Sequence, residues 1–129
     1  MKLTLWQLNQ SYSALARLAG REVPKEHHKL AYFLMRVLRS AKAEVEALAD
    51  SLNDLMLRCG FEPGQADVSE DQSRDYNERA EKFMKESECD LWGDPIAFDK
   101  IAGVISVVPA DLVMLDWLIT EDEEGKPEA

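Results

Sequence analysis

The side chains most able to do chemistry in this 129-residue chain are two histidines, two cysteines and many carboxylates, and their spacing limits what they can do together. His27 and His28 are adjacent. Neighbours on a helix diverge by about 100°, so the pair cannot close on one ion, and neither has an acid or cysteine four residues on to extend a ligand set. Glu44 with Glu46, and Glu86 with Glu88, are i, i+2 carboxylates that point apart on a helix and make no acid–base dyad. The glycines form no phosphate-binding loop, and no nucleophile elbow occurs. Cys59 and Cys89 are too few for a disulfide framework or a metal cluster; each falls near a predicted helix end, where a lone thiol is a small apolar filler. The expectation is a non-enzymatic protein, with no catalytic, cofactor-binding or metal-ligating residues and no cofactor.

Binding chemistry is better represented. Lys25, Lys29, Arg36 and Arg39 share a stripe on one predicted helix, with Tyr32 among them. Cations interleaved with an aromatic ring can grip phosphates and stack a base. The same stripe can equally be a solvated face, or one that pairs with acidic segments of this chain or another. Trp6, Trp92 and Trp117 are the large apolar anchors. Trp117 stands one residue off the Leu112/Leu115/Leu118 set, which makes it either an interface residue or the trim of a core.

The charge of −10 is unevenly spread. Residues 1–61 hold nine Lys/Arg against six Asp/Glu, a balance of +3, and residues 62–129 hold six against nineteen, a balance of −13. Such a chain repels nucleic acid overall while still able to present one basic face. No apolar run reaches the roughly 18 residues of a membrane span. Met1–Gln7 turns polar too soon for a signal peptide, so the reading is cytoplasmic.

These side chains must be positioned by helices. Thr4 with Gln7 makes a capping box, and Leu5, Leu8, Tyr12, Leu15 and Ala19 follow at 3-4 spacing, predicting a helix over 5–19 that Gly20 closes in a left-handed conformation. From Pro24 to Gly60 nothing breaks the chain. Ala31, Leu34, Leu38, Ala41, Val45, Leu48, Leu52, Leu55 and Cys59 form a heptad seam on a predicted helix over 24–59, about 54 Å long at 1.5 Å per residue. Leu30, Phe33 and Val37 widen the seam at its start. After a turn-rich connector, Ser69 and Gln72 form a second capping box for a helix over 70–90. Folded back antiparallel, that helix covers only the later, thinner part of the seam, and would leave Cys59 and Cys89 nearly 30 Å apart, far too distant for a disulfide.

Residues 94–99 and the β-branched run 103–108 predict a small β-hairpin. The stretch SVVPADLVMLDWLI, 106–119, follows, with Pro109 opening a last helix and Asp111 in its first turn. Because helix three is too short to cover Leu30 to Val37, helix one and the C-terminal segment are the remaining cover, and Leu112, Leu115, Leu118 and Ile119 have the spacing to lie there and finish the core. The tail 121–129 is predicted to be acidic and disordered.

The opening Met1-Lys2-Leu3-Thr4-Leu5-Trp6-Gln7-Leu8, the closing Pro109-Ala110-Asp111-Leu112 and the following Leu115-Asp116-Trp117-Leu118-Ile119 resemble a family of small phage and prophage proteins of uncharacterised function. The resemblance spans nearly the whole chain in order, with identities concentrated at both ends. It implies a long helix, a charged second one and a short extended element at Asp94-Pro95-Ile96. Family members usually carry Ser before Pro-Ala-Asp; Val108 stands there in this chain and cannot cap the last helix with a hydroxyl. The resemblance implies a bacterial-host setting, with virion association as one outcome, and no activity.

Together these readings predict a mainly α fold: an elongated antiparallel helical hairpin with an N-terminal helix and a small C-terminal β-hairpin/helix cap, one domain over 1–120. The function expected is a phage or prophage protein working through protein–protein contacts, in virion assembly or as an accessory factor, with a protein partner or self-association and no membrane. The alternative is a nucleic-acid-associated protein using Lys25, Lys29, Tyr32, Arg36 and Arg39, which the acidic remainder of the chain disfavours.

Overall fold

Thr4 sets the first boundary. Its hydroxyl accepts from the Gln7 amide at 3.0 Å and Gln7 Oε1 accepts from the Thr4 amide at 2.8 Å, closing the capping box that the sequence predicts. A computed structural model of the protein describes residues 1–61 and 69–120. Helix α1, Leu5–Ala19, ends as expected, but Gly20 closes it with right-handed backbone (φ −85°), so no positive φ demands glycine there. Lys25–His27 form a single 3-10 turn after Pro24, and α2 then runs unbroken over His28–Arg58, about 46 Å at 1.5 Å per residue. The left-handed glycine closes α2 instead. Gly60 has φ +88°, its N–H bonds Leu57 O, and the Phe61 N–H reaches back to Met56 O, the double bond of a Schellman cap.

Helix α3, Glu70–Glu86, returns along α2 in the opposite direction. Gln72 reaches Gly60 at the near end, and the Trp92 amide reaches Ser40 far along α2. The fold is mainly helical, as predicted. Helix α3 nevertheless stops at Glu86 and not at 90. Ser87 turns extended (φ −103°, ψ 135°) and Glu88–Asp90 become strand β2, antiparallel to β1 at Lys2–Thr4 with Leu3 opposite Cys89. Glu-Cys-Asp alternates polar, apolar, polar. That period of two lets Cys89 and Leu3 enter the core together while their neighbours stay wet.

The predicted β-hairpin is the larger correction. Its first arm exists as β3, Ile96–Ala97, but 98–105 coil. Phe98–Lys100 form a 3-10 turn, and the amides of Ala102 and Ile105 bond back to Phe98 and Ile101. Ile101 and Ile105, four residues apart, are both buried, so burial follows a helical spacing in a run whose composition favours strands. The partner of β3 is β4, Ile119–Thr120, running parallel with Ile96 beside Ile119 and Ala97 beside Thr120. The last helix, α4, is accordingly only Pro109–Met114, with a backbone turn over Leu115–Leu118 before β4. Val108 gives it no side-chain cap, and Pro109 opens it.

One apolar cluster joins every layer, from Leu3 and Leu8 through Leu34, Val37 and Ala41 to Ile101, Leu115 and Leu118. Helix α1 packs on α2, α3 and α4 and is the most extensive cover of α2, while α4 rests on α1; Trp92 and Gly93 lie against Phe33 in the wide early part of α2. Leu115 and Leu118 are fully buried and Leu112 is half-buried: 106–119 finishes a core. Among the described residues, no helix is long and apolar enough to cross a membrane. The tail 121–129 and most of the connector lie outside the described residues.

Candidate interaction surface

With neither Gly nor Pro within it, α2 is an unbroken platform, and the 25–39 stripe lies on its first three turns and the turn before them. Lys25, Lys29, Tyr32 and Arg39 are exposed, as predicted for a stripe off the core face; Arg36 is half-buried. The reason is local. Arg36 Nη1 donates to Tyr32 Oη at 2.7 Å, and the guanidinium carbon lies 5.6 Å from the Tyr32 ring centre and 4.6 Å from the Trp92 ring centre. Arg36 is therefore held between two aromatic rings, each attracting it through the negative face of its π-system. Phe33 also packs against Trp92, tilted, with 5.7 Å between centres.

Trp92 is the residue that sequence reasoning missed as part of this site, having been read only as an anchor. Its placement depends on contacts remote in sequence. The Trp92 amide donates to Ser40 Oγ at 3.0 Å, and the Leu91 amide to Met1 O at 2.8 Å. The Met1 nitrogen donates to Leu91 O and Gly93 O, at 2.7 and 3.2 Å, and to Asp90 Oδ1 at 3.0 Å. Gly93 then turns at φ +95°, where an added Cβ would come within 3.1 Å of Phe33 Cε2. The Trp-Gly pair after a helix was the available signal, because a glycine there permits a large ring to fold back onto the preceding helix.

The result is an apolar and cationic face. Tyr32 is 60% exposed and Trp92 38%, and both lie against the Arg36 guanidinium, while Met35, 50% exposed, adds apolar surface on the same stretch of α2. Tyr, Trp and Arg are the residues that dominate binding energy in protein interfaces, and a side chain already ordered loses less entropy on binding.

Trp117, the other predicted interaction residue, is not part of this face. It is half-buried against the core, and its indole N–H donates to the buried Ser11 Oγ at 2.9 Å, while that hydroxyl donates to Gln7 O at 2.7 Å. Nearby, Arg17 grips the buried Asp111 with two bonds, Nε to Oδ2 at 3.1 Å and Nη2 to Oδ1 at 2.6 Å. Hydrogen bonding to Arg17 holds the Asp111 carboxyl below the usual carboxylate range, against the opposing effect of burial. The sequence placed Asp111 at a helix start but gave no sign of Arg17, 94 residues away.

His27 and His28 are exposed on the rim of a groove, and among the described residues no three His, Cys, Asp or Glu side chains gather as a metal site. Both thiols are free. Burial, then the nearby Glu44 and Asp90, push the Cys89 thiol up to about 11, which keeps it protonated at neutral pH. Burial likewise raises Cys59, with Asp75 adding to it. The groove beside the histidines, about 500 Å³, lies between the start of α2 and β3; a smaller one of about 270 Å³ lies between α2 and α3 at Leu55 and Phe83. Compared with known proteins, the chain matches no family model, no curated protein and no solved structure.

Proposed function

We propose that this protein works by protein–protein contact, through the face made by Tyr32, Met35, Arg36 and Trp92. The carrying observation is Arg36 lying 4.6 Å over the exposed Trp92 ring while hydrogen-bonded to Tyr32, an ordered Arg–aromatic set open to solvent. Covering these rings would remove apolar surface from water, and the guanidinium supplies directional donors for a partner's carbonyl or carboxylate oxygens. The resemblance of the chain's ends to small phage and prophage proteins supplies the setting: a bacterial host, with a role in virion assembly or as an accessory factor.

A photo-reactive residue at Tyr32, in cells making the protein, tests this directly. One discrete protein adduct is expected, lost with Trp92→Ala and absent when the same group replaces Val113, which is 75% exposed on α4. Equal adducts at both positions would sink the reading. The nucleic-acid reading is supported by Lys25, Lys29 and Arg39, which make no ion pair among the described residues. It requires binding to a nucleic acid that weakens steeply with salt.

A further inference from the structure

We infer that the groove at the start of α2 takes an acidic peptide segment of a partner, seated by one apolar side chain. This rests on the protein-contact reading and names the chemistry of the partner. The groove holds about 500 Å³, room for one or two side chains. Its floor is apolar, made by Leu30, Phe33 and Ile96, each only partly buried in the protein's own core. Its rim is cationic in character. Lys29 comes from α2 and Lys100 from the 3-10 turn after β3, with His27 and His28 beside them and Glu26 as the single acid.

Charge complementarity selects the occupant. In a chain of net −10, two lysines facing one glutamate around an apolar floor form a local reversal of sign. An acidic polymer is repelled by the acidic remainder of the chain, and one approaching this basic end of α2 is drawn in and oriented. Phe33 joins the groove to the face described above, since the same ring packs on Trp92. A partner seated on the Tyr32–Trp92 face can thus extend an acidic segment into the groove without a break in contact.

The probe is a fluorescein-labelled peptide, Glu-Asp-Glu-Leu-Glu-Asp, compared with its amide analogue Gln-Asn-Gln-Leu-Gln-Asn by anisotropy against the full-length protein in 50 mM and 500 mM salt. The acidic peptide should bind at least tenfold more tightly than its analogue at low salt, and lose most of that advantage at high salt. Lys29→Glu with Lys100→Glu should weaken it about tenfold or more with an unchanged circular-dichroism spectrum, since both side chains are exposed. That variant should in turn bind a Lys-Arg-Lys-Leu-Lys-Arg peptide.

Equal binding of acidic and amide peptides, or indifference to the double reversal, overturns the inference. So does absence of binding at millimolar peptide. Binding that emerges only when Glu121, Asp122, Glu123 and Glu124 are changed to Gln or Asn would assign the groove to the chain's own acidic segment, and so overturn it as well. The cross-link at Tyr32 separates the two readings. A discrete adduct there with no acidic-peptide binding defeats the groove alone, and its loss with Trp92→Ala keeps the protein-contact reading intact.

Discussion

Leu115→Ala is the sharpest test of how the C-terminal segment is used. Leu115 is fully buried at the end of α4. Its main-chain bonds, to Asp111 O and from the Leu118 and Ile119 amides, are independent of the side chain, so alanine keeps the local backbone and removes only packing. Three buried carbons at about 0.8 kcal/mol each amount to roughly 2.4 kcal/mol of lost transfer energy. Every 40 Å³ of cavity that fails to collapse adds about 1 kcal/mol. The expected loss is therefore about 3–4 kcal/mol, from a total that for a domain of this size is about 5–15 kcal/mol. Urea unfolding followed by circular dichroism and tryptophan emission should show a lower midpoint with an unchanged slope, and the thermal midpoint should fall by on the order of 10 °C. Measurement at two protein concentrations tests whether burial is within one chain, because a site buried by self-association gives a concentration-dependent midpoint. Val113→Ala, on the same helix but 75% exposed, is the control and should stay within about 0.5 kcal/mol. A Leu115→Ala variant as stable as that control would mean the segment does not close the core.

The Asp111 carboxyl, lowered by Arg17, contributes stability that is fully present above the ordinary carboxylate range near pH 4 and fades as pH falls through its lower folded value. Asp111→Asn should therefore separate from the parent in thermal midpoint at pH 7, and the gap should narrow as pH falls below the ordinary carboxylate range; a gap that stays constant through acid would show the charge is not involved. Trp117→Phe removes the donor to Ser11 and should cost about 0.5–1.5 kcal/mol by urea unfolding, while leaving any adduct at Tyr32 unchanged. Thr4→Ala opens the first capping box and should cost about 1 kcal/mol in the same assay. Titration with a thiol reagent at pH 8 should modify Cys59 first and leave Cys89, at about 11 and buried, unmodified until the protein unfolds; equal rates would contradict the packing of β2 on β1.

Local rules carried the helices. Thr4/Gln7 and Ser69/Gln72 fix helix starts through contacts three residues apart, and the 3-4 repeat from Leu34 to Leu55 specifies α2 because nothing within it interrupts the hydrogen-bond ladder. The burial of Leu115 and Leu118 was also legible, although α4 rests chiefly on α1, where the expectation set it against Leu30 to Val37. The strands were not. Each is two or three residues long, too short for a periodic signal, and each exists through a distant partner: Leu3 opposite Cys89, Ile96 beside Ile119. Ile101 and Ile105 show the same limit, since a run with strand composition was coiled because both side chains had core to fill. At the proposed interaction face, sequence alone determined that Lys29, Tyr32, Arg36 and Arg39 share one side of a helix, a matter of 3.6 residues per turn, whereas Lys25 falls in the 3-10 turn before it. Only the tertiary structure decided that Arg36 lies over Trp92 and that Trp117 turns inward to Ser11, because those contacts span 56 and 106 residues of chain and depend on packing that no local spacing encodes.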